Sequence, residues 1–174
     1  IRGEARIHSA IQSNWDDERG GNPEVRQAFS VFGAILMLVV ATVFQAGFLD
    51  RYLILGAQIN LPLVVALSLA LVSRPAAGGA LGLLSGILTG AISGASMTHY
   101  AVSRVLAGYF VGTRSESEPS VWGGAGWVAM GSLIAQLVLI ILAPPSPLGP
   151  AIGATILTAV YNGVVALPVF ALVV

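Results

Sequence analysis

The sequence contains no cysteine, no lysine and few charged residues of either sign. The absence of cysteine excludes disulfides, thiolate metal sites and cysteine nucleophiles. Charged residues make up 9% of the 174 residues, whereas a soluble globular domain carries about 25%. Because 56% of the residues are hydrophobic and the formal net charge is zero, we expect a polytopic membrane protein and no nucleic-acid partner.

Patterns for catalysis and metal binding are also scarce. No acidic residue lies in the middle of an apolar run, although proton- or sodium-coupled carriers usually need an acid within the membrane. His8 and His99 are far apart in the sequence, so no metal site is expected. No serine lies in a nucleophile-elbow motif. We therefore expect a protein that is not an enzyme and has no cofactor, and a lipid-modifying enzyme is the least favoured alternative.

The chain divides into a polar arm and six apolar runs. Residues 1–28 contain nine of the sixteen charged residues and are predicted to form a cytoplasmic arm. Ile7, Ile11 and Trp15 recur every four residues, which is typical of a helix on the membrane surface, but a solvated tail fits this composition equally well. Residues 29–174 are predicted to form an all-α membrane domain of six transmembrane helices, at about 29–49, 61–73, 76–93, 97–112, 121–142 and 151–174.

The second helix is predicted to be short. Asn60 is a good N-cap, and Pro62 fits the first helical turn. Because 13 residues fall below the roughly 20 needed to cross a bilayer, part of the preceding segment is expected to enter the membrane as irregular backbone covered by protein. The prolines between residues 144 and 150 are predicted to exclude that segment from a helix, and Pro168 is predicted to kink the sixth helix.

The arginines predict the orientation of the chain. Six crossings with both termini in the cytoplasm place six arginines inside and only Arg51 outside, while Arg104 lies within the fourth helix. This distribution fits the positive-inside rule for a bacterial cytoplasmic membrane. The six inner arginines are Arg2, Arg6, Arg19, Arg26, Arg74 and Arg114.

Glycine recurs every four residues in the third apolar run, at Gly78, Gly82, Gly86, Gly90 and Gly94. Each glycine costs roughly 1 kcal/mol relative to alanine in a helix in water. Close packing of helix backbones in lipid is the usual compensation. The groove is predicted to pack against another helix of the same chain, and a partner protein or ligand in part of it is the alternative. Because Gly108 and Gly112 repeat the spacing, the third and fourth helices are candidates for a close pair.

The candidate polar site residues in the membrane domain are Asn60, Arg104 and Asn162. Arg104 is either a link to a partner or an internal residue, hydrogen-bonded to helix-end carbonyls or to a neutral amide such as Gln45, Gln136 or Asn162. Asn162 in the sixth helix is expected to form hydrogen bonds between helices, with a ligand contact as the alternative. His99 is expected to be a capping or interfacial residue.

These motifs together resemble the MreD family, the membrane subunit of the bacterial rod-shape (cell elongation) system. The resemblance rests on the run from Ile59 to Leu63, on Arg74-Pro75, on the glycines spaced by four and on Ser93-Gly94. It covers residues 50–112 by motif and 29–174 by the layout of the spans. The chain differs from the family at two positions, because Asn60 and Gly90 stand where the family commonly has acidic residues.

The resemblance implies a non-catalytic scaffold with the fold of the six-helix substrate-binding subunits of energy-coupling-factor transporters. Its implied partners are a single-span MreC-like protein, MreB, the RodA glycosyltransferase and a class B penicillin-binding transpeptidase, with peptidoglycan synthesis as the process supported. The alternative function is a membrane subunit that captures a small vitamin-type solute. In that case Gln58 and Asn60, ahead of the short second helix, would help to line a pocket near the outer face.

Overall fold

A computed structural model of the chain describes residues 23–51, 56–114 and 120–173. By its internal contacts the chain separates into residues 1–36 and 37–174, and all contacts given below lie within the second unit. Of the first unit, the structure describes the first part of one helix. The six α-helices of the described residues are α1 (Pro23–Gly47), α2 (Leu61–Leu71), α3 (Pro75–Ser93), α4 (Met97–Gly112), α5 (Val121–Leu142) and α6 (Leu148–Val173), and a 3-10 turn (Leu49–Arg51) follows α1.

Most helix boundaries agree with those expected from the sequence. The exceptions are α1, which begins six residues earlier at Pro23, and α6, which begins at Leu148. The prediction that residues 148–150 are not helical is therefore wrong. Pro150 lies in the first turn of α6, where a backbone N–H has no intrahelical partner and proline is tolerated. The predicted surface helix lies outside the described residues.

Four helical segments of the described residues are long and apolar enough to cross a membrane. They are Val31–Arg51, Pro75–Ser93, Val121–Leu142 and Leu148–Ala171. Helix α2 has 11 residues and α4 has 16, which is less than the roughly 20 of a complete span. Large apolar side chains are exposed along the long helices, for example Phe44 on α1 and Ile141 on α5. The chain is therefore a multi-pass membrane protein whose apolar outer surface suits lipid.

The short helix α2 lies in the centre of the core. Its residues from Pro62 to Ser68 are all buried, as expected of a helix that is hydrophobic on every side. One cluster joins Leu63 and Leu67 to Val111 of α4 and Phe170 of α6, and a second joins α2 to α1 through Leu38. Because α2 is covered by protein on all sides, it does not need to reach across the bilayer to be stable.

The glycines spaced by four on α3 pack against α4, which confirms packing within the chain. A Cβ atom on Gly78 would lie 2.5 Å from the carbonyl oxygen of Gly108, and one on Gly86 would lie 2.6 Å from the Cα of Ala101. A Cβ atom on Gly90 would meet the Cα of Met97 at 2.7 Å. Gly82 likewise faces the backbone carbonyl of Arg104. We call Gly78, Gly82, Gly86 and Gly90 the glycine row.

The ends of this helix pair use glycine in two different ways. Gly112 closes the pair at the end of α4, because its Cβ position lies 2.9 Å from the Cα of Pro75 at the start of α3. Gly94 does not belong to the contact: it adopts φ of +65° as the C-cap of α3, and nothing lies within 4 Å of its Cβ position. Its assignment to the packing surface is therefore wrong, and its role is the left-handed turn that ends α3.

Substituting Gly86 with alanine is expected to destabilise the protein, whereas the same change at Gly126 is not. At Gly86 the new methyl group meets the backbone of α4, so the helices must separate, at a cost of about 1–3 kcal/mol. At Gly126 on α5 nothing lies within 4 Å of the Cβ position, so alanine gains helix propensity without a clash. Thermal unfolding in detergent measures both variants. A Gly86→Ala protein as stable as Gly126→Ala would show that the helices do not touch here.

Candidate functional site

The side chain of Arg104 points from α4 into the protein and is hydrogen-bonded to α3. Only 2% of the residue is exposed. Its Nη1 donates to the hydroxyls of Ser85 and Thr89, both at 2.7 Å, and to the backbone carbonyl of Ser85 at 3.0 Å. No carboxylate accepts from it in the part of the chain that the structure describes. Oxygen dipoles of α3 thus take the place of a counter-ion, through charge-assisted hydrogen bonds.

Asn60 connects this arginine to α2. Its Oδ1 accepts from Nη2 of Arg104 at 3.1 Å and from the backbone N–H of Leu63 at 3.3 Å, so the predicted N-cap is also an arginine acceptor. A neutral amide partner for Arg104 was expected, but its identification as Gln45, Gln136 or Asn162 is wrong. Asn60 was missed as that partner because its distance from Arg104 in the sequence gives no signal of contact.

Asn162 extends the hydrogen bonding to the other side of the core. Its Oδ1 accepts from the backbone N–H of Asn60 at 2.9 Å, and its Nδ2 donates to the hydroxyl of Ser132 on α5 at 3.2 Å. The residue is completely buried. Asn162 therefore forms hydrogen bonds between helices, as expected, because its side chain on α6 links α5 to the segment before α2.

A second cluster of amides surrounds Asp50 at the end of α1. Gln45 and Gln58 each donate to Oδ1 of Asp50 at 2.7 Å. Gln45 also donates to the carbonyl of Ile59 and accepts from the N–H of Leu61, both at 2.9 Å. The irregular segment before α2 is thus held by side chains of its neighbours, which provides the partners that non-helical backbone requires in a membrane protein.

A polar cavity lies between the two clusters, where α1 and α3 end and α4 begins. Its volume is about 290 Å³. Among the described residues that line it, Asp50 is the only ionisable side chain apart from the phenol of Tyr100. The cavity is lined by Thr42, Gln45, Ala46, Asp50, Gln58, Asn60, Thr89, Ile92, Ser93 and Tyr100.

The lining of this cavity is suited to hydrogen bonding with a small molecule. Its lining offers hydroxyls, carboxamides and one carboxylate, and the described residues contain no group of three or more histidine, cysteine or acidic side chains that could hold a metal ion. Arg104 lies directly behind Thr89 and Asn60, and its guanidinium is 5.3 Å from the ring centroid of Tyr100. The cavity can therefore hold a small polar molecule by hydrogen bonds.

The structure brings some of the expected site residues together and separates others. Gln58 and Asn60 both line the cavity, as the alternative function required. His99 is half-buried in the first turn of α4. Sequence reasoning missed Ser85 and Thr89, although their spacing of four residues places both hydroxyls on one face of α3. Comparisons of the chain with protein-family models, curated proteins and solved structures found no match in any of the three.

Replacement of Asn60 with alanine is expected to destabilise the protein more than replacement with aspartate. Alanine removes the cap of α2 and leaves an Arg104 donor unpaired, at a combined cost of about 2–4 kcal/mol. Aspartate keeps both acceptor functions and adds a charge opposite to that of Arg104. Unfolding in mixed detergent micelles measures the difference. Equal stability of the alanine variant and the unmodified protein would contradict the assigned role of Asn60.

Proposed function

We propose that this protein is a non-catalytic scaffold of the MreD type in the bacterial cell elongation machinery. One observation supports the proposal above all. The residues on which the resemblance to the MreD family rests each have a structural role in the packing of α2, α3 and α4. Asn60 caps α2, the glycine row packs against α4, and Gly94 forms the turn that leads into α4. These are structural roles, in keeping with a protein that works by presenting a fixed surface.

The proposed mechanism depends on a rigid centre and an apolar exterior. The glycine row and the buried helix α2 fix the helices relative to each other through backbone contacts and hydrogen bonds. The exposed apolar faces then remain available at the level of the lipid for the membrane helix of an MreC-like protein. Contacts between helices in lipid need close fit and no catalytic group. RodA, a class B penicillin-binding transpeptidase and MreB are the further proposed members of the assembly.

The proposed topology has six crossings, with both termini in the cytoplasm of a bacterial inner membrane. Helices α2 and α4 would complete the six spans together with the irregular segments beside them. The fold would then resemble the substrate-binding subunits of energy-coupling-factor transporters. The arginine distribution supports this orientation, because Arg74 and Arg114 lie at the same end of the α3–α4 pair and Arg51 follows α1 at the opposite end.

The second candidate function is capture of a small solute as a membrane subunit of a transporter. The polar cavity is the observation that favours it, because Gln58 and Asn60 line an opening of about 290 Å³. A transporter subunit would need a solute bound in stoichiometric amounts and an energy-supplying partner. A scaffold needs neither, so the two functions differ in what is purified with the protein.

Affinity purification in mild detergent is expected to recover an MreC-like single-span protein at a constant ratio to this chain. The experiment uses cells that express the tagged protein, and mass spectrometry identifies the chains that accompany it. An unrelated multi-pass protein of the same membrane, with the same tag, is the control for non-specific recovery. Transport ATPase subunits in place of MreC and RodA would favour solute capture, and recovery of neither group would contradict both functions.

A further inference from the structure

The polar cavity has an uneven charge distribution. Asp50 is the only carboxylate among the described residues of its lining, and it is exposed. Both amide donors that reach it bind the same oxygen, Oδ1. Oδ2 accepts no hydrogen bond from the described residues. One side of the cavity therefore presents an oriented carboxylate oxygen with a free acceptor position and a negative charge.

The half-buried side of the cavity presents the opposite hydrogen-bonding character. The hydroxyl oxygen of Thr89 accepts from Arg104, and its O–H remains available as a donor. Oδ1 of Asn60 is likewise occupied, and its Nδ2 has no partner among the described residues. Both side chains thus have a donor available, and Oδ1 of Asn60 has both of its acceptor positions filled. The positive charge of Arg104 behind them favours an electron-rich group in front of them.

From this arrangement we infer that the cavity binds a small organic amine that also carries oxygen acceptors. The ammonium group of the ligand binds Oδ2 of Asp50 as a charge-assisted hydrogen bond. Hydroxyl or carbonyl oxygens at its other end accept from Thr89 and Asn60. The volume of about 290 Å³ lies at the lower limit of pockets that hold drug-sized ligands, about 300–1,000 Å³, so the molecule is small. This inference does not depend on the scaffold function, because a scaffold and a transporter subunit could both hold such a ligand.

D-glucosamine and D-glucose form a matched pair of probes for this site. They share a ring and differ in one group, which is an ammonium in the first and a hydroxyl in the second. Isothermal titration calorimetry of the purified protein in detergent is expected to show binding of glucosamine at least about tenfold tighter than binding of glucose, the effect of one hydrogen bond to a charged group. Equal binding of the two sugars would overturn the assignment of an amine ligand. If neither sugar binds with a Kd below about 10 mM, the assignment of an amine ligand is overturned as well.

The variant Asp50→Asn tests the carboxylate itself. Asparagine keeps an Oδ1 acceptor for Gln45 and Gln58, so the fold is expected to be retained. Binding of glucosamine is expected to weaken at least about tenfold and binding of glucose to weaken less, because only glucosamine loses an ion pair. A variant that retains the full preference for glucosamine would overturn the role of Asp50.

A second pair of variants tests the location of the site without altering charge. Ile92→Trp places a large side chain in the lining of the cavity and is expected to abolish binding of glucosamine. Ile87→Trp is the matched control, because Ile87 is also exposed on α3 but does not line the cavity. Both isoleucines are exposed, so both variants are expected to fold. Unchanged binding in Ile92→Trp, or equal loss in both variants, would place the ligand elsewhere.

Discussion

The close contact between α3 and α4 is the constraint on which the rest of the structure depends. Four glycines in one helix leave its backbone uncovered over several turns, and α4 lies directly against that backbone. In lipid, apolar side chains gain little by leaving one apolar medium for another, so close packing and hydrogen bonds drive helix association. The glycine row provides the packing, and its cost in helix propensity is balanced by a contact that larger residues would prevent.

This contact also explains how an arginine is tolerated inside an apolar protein. Because the backbone of α4 at Arg104 lies against Gly82, the arginine side chain extends along α3 and reaches Ser85 and Thr89 within 3 Å. Asn60 then accepts from the same guanidinium. A buried charge without partners costs several kcal/mol, so the hydroxyls and the amide are necessary for the arginine to remain there. Asn60 and Thr89 also line the cavity, which couples the packing of the helices to its hydrogen-bonding pattern.

Local features of the sequence were sufficient to predict the helices and the glycine contact. The spacing of Gly78, Gly82 and Gly86 indicates a groove whatever its partner, and Gly108 on α4 indicates which helix fills it. The predicted start of α6 is wrong because proline usually ends a helix. Pro150 instead lies in the first helical turn, where proline is tolerated. Gly94 was assigned to the groove by its spacing alone, although Ser93 is the last helical residue.

The polar network was harder to predict because its contacts join distant parts of the chain. Asn60 lies 44 residues before Arg104 and 102 residues before Asn162, and periodicity contains no information about such pairs. The amide cluster around Asp50 depends on how residues 56–60 lie against the end of α1, which is a property of tertiary structure. The sequence spacing predicts that Thr89 and Ser85 lie on the same side of α3. Only the position of α4 shows that both residues contact Arg104.

Disulfide trapping tests the contact between α3 and α4 most directly, and the absence of native cysteine makes the experiment clean. The Cβ position of Gly79 lies 3.7 Å from the Cβ atom of Tyr109, within the range of about 3.5–4.5 Å that a disulfide requires. The double variant Gly79→Cys, Tyr109→Cys is expected to form a disulfide in native membranes, detected as loss of thiol alkylation. Gly126→Cys with Tyr109→Cys is the control and is expected to remain reduced. Absence of the first disulfide, or equal yields from both pairs, would contradict the close contact of α3 and α4.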